Sequence, residues 1–230
     1  MKNITKAIPQ AVGLIMDGNG RWSKKRNRSR LEGHTMGIHN MISLIAHAFE
    51  CGVKNIICYG LSTENLKRPE EEVKHIYELI IQVFDLFIST FSKIQACVKY
   101  VGNTEALPPA IQESIKKTEA ALSKYESSGR VIYIAIAYGS WFEITKAVNA
   151  AVERGEPVTP KSFLSLLDIP LQPELIIRTG GEQRLSNFLL YQASYSELYF
   201  TKKLFPDFSK RDMDKAFKWF QKRNRRFGLI

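Results

Sequence analysis

Short apolar runs alternate with longer segments of helical period along this chain. Continuous apolar runs predict strands at Val12–Met16, Val53–Gly60, Ala96–Gly102, Val131–Ala137, Glu174–Arg178 and Glu197–Phe200. Apolar residues that recur every three or four positions predict helices at Gly33–Cys51, Glu70–Lys93, Pro108–Tyr125, Trp141–Val152, Pro160–Leu167 and Met213–Arg223. Because strands and helices alternate without a linker or a repeat, residues 1–230 are predicted to form a single α/β domain around a central, mostly parallel sheet flanked by helices.

Polar residues follow several of the predicted strands. The first strand ends at Asp17 and is followed by Gly18, Asn19, Gly20 and Arg21. Two glycines let the backbone turn tightly and bring N–H groups near a phosphate, while an aspartate suits a hard cation such as Mg²⁺. An ordinary loop explains this segment equally well. Two further strands lead into polar segments, 61–69 and 179–187, and ligands of open α/β sheets bind at that edge.

The helix predicted at Glu70–Lys93 has a broad apolar face. Its apolar positions are Val73, Ile76, Tyr77, Leu79, Ile80, Val83, Phe84, Leu86, Phe87, Ile88 and Phe91. A deeply buried helix explains this width, since ordinary core packing needs a narrower stripe. The alternative is a helix that also lines an apolar cavity.

The charge of the chain favours an anionic partner. Its formal net charge of +10 suits nucleic acid, an acidic membrane surface or a polyphosphate substrate, and the basic run 24–30 is either a solvated face or a phosphate contact. Cys51, Cys58 and Cys97 are widely spaced, which is typical of free thiols in a reducing cytoplasm. No P-loop, dinucleotide fingerprint or Gly-x-Ser-x-Gly elbow occurs, and no run approaches the ~20 apolar residues of a membrane span.

Motifs along nearly the whole chain resemble those of a known family. They are Met16 to Trp22, Gly33-His34, Ser62-Thr63-Glu64-Asn65, Lys67-Arg68-Pro69, Ile177 to Glu182, Arg184 to Leu190 and Ser196 to Phe200. In order and spacing they resemble the cis-prenyltransferases, most closely the bacterial undecaprenyl diphosphate synthases. The resemblance implies condensation of isopentenyl diphosphate with an allylic diphosphate, such as farnesyl diphosphate, to a cis-polyprenyl diphosphate such as undecaprenyl diphosphate. It also implies an apolar tunnel between the sheet and the broad helix.

The resemblance also implies roles for individual residues. The allylic diphosphate is expected at Gly18, Asn19, Gly20, Arg21, Arg30 and His34, and isopentenyl diphosphate at Arg178, Arg184 and Ser186. Asp17 is the expected catalytic Mg²⁺ ligand, with Glu197 as the second carboxylate at the metal. Catalytic Asn65 and the segment Ser62, Thr63 and Glu64 are expected to close over the reacting ends. Trp22, Leu66, Arg68 and Leu185 complete the implied substrate-binding set.

The resemblance further implies a homodimer in which the C-terminal segment, Arg226 to Gly228, reaches the partner's active site. It is compatible with a cytoplasmic enzyme that contacts the membrane surface to release product. Ala11, Leu66 and Trp141 depart from the usual residues of the family, which leaves a divergent paralogue with a short or altered product as an alternative. A scaffold subunit is less favoured, because Asp17 and the diphosphate arginines are kept. A nucleic-acid-binding protein is the alternative from another class.

Overall fold

A six-stranded parallel sheet, in the strand order β3-β4-β2-β1-β5-β6, forms the centre of the fold. The structure is a computed structural model that describes residues 8–155 and 157–226. The strands are β1 Ala11–Ile15, β2 Asn55–Ser62, β3 Cys97–Val101, β4 Val131–Tyr138, β5 Leu175–Arg178 and β6 Glu197–Phe200. Every residue of β1 and β5 is buried, as expected for strands covered on both faces.

Helices cover the two faces of the sheet. They are α1 Asn19–Lys24, α2 Arg30–Glu50, α3 Glu70–Lys93, α4 Pro109–Leu122, α5 Ser140–Arg154, α6 Pro160–Leu164 and α7 Lys210–Gln221. The larger core cluster joins one face of the sheet to α2, α3, α4 and α7, and the smaller cluster lies on the other face around Phe188 and Tyr138. The predicted α/β class with a central parallel sheet is therefore confirmed. No helix among the described residues is long and apolar enough to cross a membrane.

Several element boundaries differ from the prediction for local reasons. Gly18 has φ 113°, and after it the predicted Gly-Asn-Gly loop is the first turn of α1 instead. The helix predicted to begin at Gly33 begins at Arg30, because Ser29 and Glu32 form a capping box. Likewise α7 begins three residues before the predicted Met213, after a capping box between Ser209 and Asp212.

The other element boundaries differ from the prediction by only a few residues. Strand β1 lies one residue earlier than predicted, and β2 continues past Gly60 to Ser62. Helices α4 and α6 end earlier than predicted, α4 giving way to a 3₁₀ segment Ser123–Ser128. Strand and helix ends are the least determined by an apolar pattern, since the last turn or pair depends on capping and tertiary contacts.

A double irregularity bends β2 and β4 where they approach the site. Tyr59 pairs with Ala135 and Leu61 with Ile136, so Gly60 has no partner in β4. Ala137, with φ 48°, is likewise skipped before Ser62 pairs with Tyr138. Such bulges redirect a strand end and are common beside functional sites.

Candidate active site

Asp17 lies between two guanidinium groups at the carboxyl ends of β1 and β5. One carboxylate oxygen accepts a hydrogen bond from Arg21 at 3.0 Å, and the other accepts one from Arg178 at 3.1 Å. Arg178 is only 4% exposed, and it also donates to the Ser186 hydroxyl at 2.8 Å and to the carbonyl oxygen of Arg184. Because a buried cation is costly without partners, these contacts hold its planar fork in one orientation.

A second carboxylate, Glu182, continues this network. It pairs with Arg184 at 2.6 Å and with Arg21 at 3.5 Å, so Arg21 links Glu182 to Asp17. The arrangement requires a glycine at position 180, where φ is 84° and a Cβ would lie 2.6 Å from the Arg21 guanidinium. The network contains more arginines than carboxylates and therefore suits an anionic ligand.

A second positively charged cluster lies where the start of α2 meets the start of α3. Arg30 and Arg68 pair with the same Glu72 oxygen at 3.2 and 2.9 Å. Arg30 also lies against Gly20, where a Cβ would be 3.3 Å from its Nε. Burial, together with the positive charges of Arg30 and Arg68, lowers the pKa of His34 to about 4 against the opposing effect of Glu72. His34 is therefore neutral at physiological pH and donates or accepts a hydrogen bond without adding charge.

The segment after β2 is tied to the segment after β5. Within the first, Ser62 and Asn65 bond reciprocally, each backbone N–H donating to the other's side chain at 3.3 and 3.2 Å. Asn187 donates to the Glu64 carboxylate at 3.0 Å. Burial raises the pKa of Glu64, but hydrogen bonds from Asn187, Ser62 and Thr63 outweigh it, and the pKa is lowered overall. These bonds hold two of the predicted substrate-binding segments in contact.

The segment that contains Ser186 has a strained backbone. Ser186, Asn187 and Leu189 all have positive φ, of 51°, 62° and 51°, a region that non-glycine residues rarely adopt. Tyr59 donates to the Ser186 carbonyl oxygen at 3.0 Å, and the Asn187 side chain accepts from the backbone N–H of Trp141 at 3.1 Å. Strain of this kind persists only where surrounding contacts impose it, and it is concentrated at binding and active sites.

An apolar cavity opens beside the charged groups, between α2, α3 and the sheet. Its volume is about 110 Å³. Its lining is Met16, Asn19, His34, Gly37, Ile38, Met41, Tyr59, Gly60, Ile76, Leu79, Ile80, Val83, Phe84, Phe87, Tyr100, Ile134, Ile136 and Phe205. Asn19 and His34 belong to both the lining and the charged site, so a ligand with an anionic head and an apolar tail fits the arrangement. The helix with the broad apolar face therefore lines a cavity as well as packing into the core.

Comparison with known proteins identifies the family. A family described as "Putative undecaprenyl diphosphate synthase" matches residues 15–228. The chain belongs to this prenyltransferase family. It is 41% identical to an isoprenyl transferase of Thermotoga maritima, over 96% of this chain and 97% of that protein. It is 36% identical to the farnesyl-diphosphate-specific ditrans,polycis-undecaprenyl-diphosphate synthase of Haemophilus influenzae, over 96% and 95% of the two chains.

Solved structures agree with this assignment. Lavandulyl diphosphate synthase from Lavandula x intermedia, in complex with dimethylallyl diphosphate, superposes with a TM-score of 0.90 at 32% identity, covering 96% of this chain and 98% of that one. A probable undecaprenyl diphosphate synthase from Campylobacter jejuni gives 0.84 at 30% identity, with the same coverage. The recognition of a cis-prenyltransferase from sequence motifs is therefore confirmed, and the chain is a transferase.

Two of the predicted site residues have partners outside the network around Asp17. Trp22 is buried, and its indole N–H donates to Asp207 at 2.7 Å while Arg26 stacks on its ring, so it anchors α1. Glu197 begins β6 opposite Leu175, whereas Phe200 is level with Arg178. It therefore lies toward the opposite end of the sheet from Asp17, where it pairs with Arg223 at 3.2 Å. The expected role of Glu197 at the metal stays a prediction.

Two further predicted residues, Leu66 and Leu185, contact the core. Leu66 packs against the larger core cluster and Leu185 against the smaller one, so both support the segments that carry the charged residues. Arg226 is described, but Phe227 and Gly228 lie outside the described residues. Glu72, Glu182, Asn187 and Tyr59 were not predicted as site residues. Glu182 and Asn187 belong to the polar segment 179–187, and its polarity was the sequence feature that could have identified them. Glu72 and Tyr59 lie within a helix and a strand whose orientation the sequence does not reveal.

The acidic residues of the site fit a hard divalent cation. Asp17 and Glu182 both contact Arg21, so they provide two oxygen-donor groups at the same edge of the sheet. The Asp17 carboxylate keeps 29% of its surface exposed. Mg²⁺ is characteristically held by one or two carboxylates together with substrate phosphates and waters. These residues therefore suit Mg²⁺.

Proposed function

We propose that this prenyltransferase condenses isopentenyl diphosphate with an allylic diphosphate, such as farnesyl diphosphate, and repeats the reaction to give a long cis-polyprenyl diphosphate such as undecaprenyl diphosphate. One observation carries the proposal: two separate arginine clusters, one around Asp17 and one around Glu72, accompany an apolar cavity that His34 lines. Two clusters suit two diphosphate substrates, and the cavity suits an isoprenoid tail. The named relatives act on prenyl diphosphates, as expected for this arrangement.

Each cluster is assigned one substrate. Neutral His34 lines the cavity, and Arg30 and Arg68 lie near enough to it to lower its pKa, so these three residues bind the allylic diphosphate whose tail enters the cavity. Arg178, Arg184 and Ser186 bind the diphosphate of isopentenyl diphosphate, because the guanidinium fork matches phosphate oxygens. The first turn of α1 links the two, because Arg21 belongs to the network around Asp17 while Gly20 lies against Arg30, and the backbone N–H groups of this turn have no acceptors within the helix.

The reaction needs the leaving diphosphate to be stabilised and the allylic cation to be kept from water. Preorganised guanidinium groups stabilise the negative charge that develops on the leaving group. The apolar cavity excludes water from the cationic carbon while the alkene of isopentenyl diphosphate attacks it. A bound Mg²⁺ would neutralise diphosphate charge, and Asp17 and Glu182 are the residues that would hold it. Asn65, fixed by Ser62, orients the reacting ends.

Growth of the product requires the cavity to widen. An apolar cavity of about 150 Å³ holds a molecule only as large as benzene, so the space of about 110 Å³ accommodates the start of an isoprenoid chain. The half-buried residues Ile76, Ile80 and Val83 make α3 the wall that can move with least loss of packing. Each added five-carbon unit gains about 4 kcal/mol from burial, which supports such a displacement.

A turnover assay tests the proposal directly. Radiolabelled isopentenyl diphosphate, farnesyl diphosphate and Mg²⁺ should give butanol-extractable labelled product, and a chelator should abolish it. Label that stays water-soluble with every allylic primer would contradict the proposal. The same assay with dimethylallyl and geranyl diphosphates ranks the primers.

We further propose that the protein is a cytoplasmic homodimer that contacts the membrane surface when product leaves. Exposed apolar side chains on α5 support the dimer: Trp141, Val148 and Val152 are 70%, 45% and 74% exposed. Light scattering gives the mass of the assembly. Deleting residues 224–230, which include Arg226, should lower the turnover rate strongly and the Tm only slightly. A fully active truncated monomer would contradict the dimer.

A further inference from the structure

A group of metal-binding side chains lies far from the proposed active site, where the end of α2 meets α7. His47 and Cys51 are one helical turn apart at the end of α2, and Asp214 reaches them from α7. One imidazole nitrogen, the thiol sulfur and one carboxylate oxygen all lie within 4.8 Å of one another. His34, the α2 residue shared by the charged site and the cavity, lies thirteen positions before His47, or about 20 Å along the helix, and the last cavity-lining residue of α2, Met41, lies six positions before it.

We propose that His47, Cys51 and Asp214 form a binding site for a zinc-class divalent cation, separate from the proposed Mg²⁺ site. Thiolate and imidazole ligands favour Zn²⁺ and related metals over Mg²⁺, which prefers oxygen ligands alone. A water molecule supplies the fourth position of a tetrahedral site. The cation would tie the end of α2 to α7.

The separations between the three atoms are close to those of a zinc site. With Zn–N of about 2.0 Å and Zn–S of about 2.3 Å, tetrahedral geometry places nitrogen and sulfur about 3.5 Å apart. His47 Nε2 and Cys51 Sγ are 3.6 Å apart. His47 Nε2 and Asp214 Oδ1, now joined by a 2.7 Å hydrogen bond, would separate by about 0.6 Å to reach the corresponding distance. The side chain of Asp214 is partly exposed, so a change of its rotamer provides this extra separation.

The surroundings of His47 add a supporting partner. Glu50 lies 3.7 Å from Nδ1, the nitrogen that faces away from Asp214. Histidine ligands of metals commonly donate their second N–H to a carboxylate, which fixes the ring and strengthens the ligand. Among the described residues, the ion pairs formed by Glu50 and Asp214 are with His47 and not with a lysine or arginine. In a protein of net charge +10, two carboxylates without a basic partner mark a site that favours a cation.

Titration of the full-length, chelator-treated protein with Zn²⁺ against a chromophoric chelator tests the proposal, with Mg²⁺ present throughout. One equivalent should bind to the wild type, and Cys51→Ser should weaken binding at least about tenfold. Cys97→Ser removes another thiol, on β3, and Asp17→Asn alters the proposed Mg²⁺ site; both should bind zinc like the wild type. Binding that survives Cys51→Ser, or that is lost in Asp17→Asn, would overturn the proposal.

Two further measurements use the same variants. Co²⁺ substitution should give the intense visible bands of a tetrahedral site and a thiolate charge-transfer band that Cys51→Ser removes. Zinc at about a hundred times its Kd should raise the Tm of the wild type by about 5–10 °C, and that of the folded Asp214→Asn variant by less. An octahedral cobalt spectrum without the thiolate band, or an equal Tm rise in all variants, would contradict the site. Prenyl transfer should continue in Cys51→Ser at the wild-type rate.

Discussion

The carboxylate of Asp17 accepts a hydrogen bond from Arg178 at 3.1 Å, although the two residues are 161 positions apart in the chain. The pair joins the end of β1 to the end of β5. Because Arg178 is buried, Asp17 both compensates its charge and remains partly accessible to a cation. A substitution at Asp17 therefore acts on the proposed metal and on the orientation of Arg178 together.

Asp17→Asn should lower kcat by at least about 100-fold at saturating Mg²⁺, because an amide is a poor ligand for the cation. The amide oxygen can still accept a hydrogen bond from Arg178 but no longer compensates its charge, so the Tm should fall by less than it does in Asp17→Ala. Asp17→Ala removes that acceptor as well and should cost about 1–3 kcal/mol of unfolding free energy. Turnover assays and denaturant titrations separate the two effects. Wild-type turnover by Asp17→Asn in Mg²⁺ would remove Asp17 from the metal site.

Arg184→Ala should raise the KM for isopentenyl diphosphate about 10- to 100-fold, since a charge-assisted contact to the diphosphate is lost. The side chain of Arg184 is 60% exposed and pairs with Glu182, so the protein should remain folded. Arg154→Ala, an exposed arginine at the end of α5, is the matched control and should leave both KM values unchanged. A rise confined to the KM of the allylic primer would assign Arg184 to the other substrate.

The sequence was most informative about which ends of the strands carry the site. Apolar runs that end in Asp17 and Arg178 specify parallel strands with polar residues at one edge, and the bounds of α3 follow from its apolar period. The sequence does not reveal in which direction each side chain points. Tyr77 lies on the broad face of α3 but does not line the cavity, whereas Phe84 and Phe87 do, and one helical face serves both the core and the cavity.

The position of Glu197 in its strand could not be predicted for a different reason. A motif identifies a residue type and its neighbours in sequence, but not whether it begins or ends its strand. Glu197 begins β6, and the parallel register with Leu175 places it away from Arg178 and Asp17. Glu182, in the loop after β5, is the second carboxylate that the structure brings to the network around Asp17. The same limit applies to Trp22, whose burial depends on Asp207 from the far end of the chain.

Glu64 and Asn187 should be energetically coupled, because their hydrogen bond joins two substrate-binding segments. Glu64→Ala and Asn187→Ala should each lower kcat, and the double variant should be only slightly worse than either one. A double-mutant cycle should give a coupling of about 0.5–3 kcal/mol. Glu126→Gln, which breaks an exposed ion pair with Lys99, serves as the control and should not affect kcat. Additive losses would mean that the two segments act independently.

The stability of the protein should rise with pH between about pH 4 and 6.5 because of His34. Its folded-state pKa of about 4 lies below the unfolded value of about 6.5, so in this window the unfolded chain binds one more proton. The stabilisation is complete above pH 6.5 and is lost as the pH falls toward 4. Denaturant titrations of the wild type and His34→Gln should show a smaller slope in the variant. Equal slopes would contradict the lowered pKa.

Binding of inorganic diphosphate should raise the pKa of His34 if the imidazole belongs to the allylic diphosphate site. A nearby anion stabilises the imidazolium, which burial and two arginines disfavour in the free protein. The His34 ring resonances, followed by NMR across a pH series with and without diphosphate, report the change. An unaltered titration with saturating diphosphate would place the ligand elsewhere.

Product length depends on how far the chain extends between α3 and the sheet. Phe84 and Phe87 line the cavity together with Tyr100, so Phe84→Ala or Phe87→Ala should lengthen the product by opening its inner end. Tyr77→Ala, on the same helix but outside the lining, is the control and should leave the product unchanged.

Gly60 lines the cavity, and a Cβ there would lie 3.2 Å from the Ala135 carbonyl oxygen. A leucine side chain in place of Gly60 would fill the entrance, so Gly60→Leu should shorten the product.

These changes are read from the dephosphorylated products by chromatography against polyprenol standards. The wild type should give a ladder that ends at long chains, because each unit that enters the widened cavity gains burial energy until a ring blocks it. A wild-type ladder that stops after only a few isoprene units would defeat the long-chain proposal while leaving prenyl transfer intact. In that outcome, lengthening by Phe84→Ala or Phe87→Ala would still identify the residue that ends the tunnel. Lengthening by Tyr77→Ala alone would show that the growing chain follows a different face of α3.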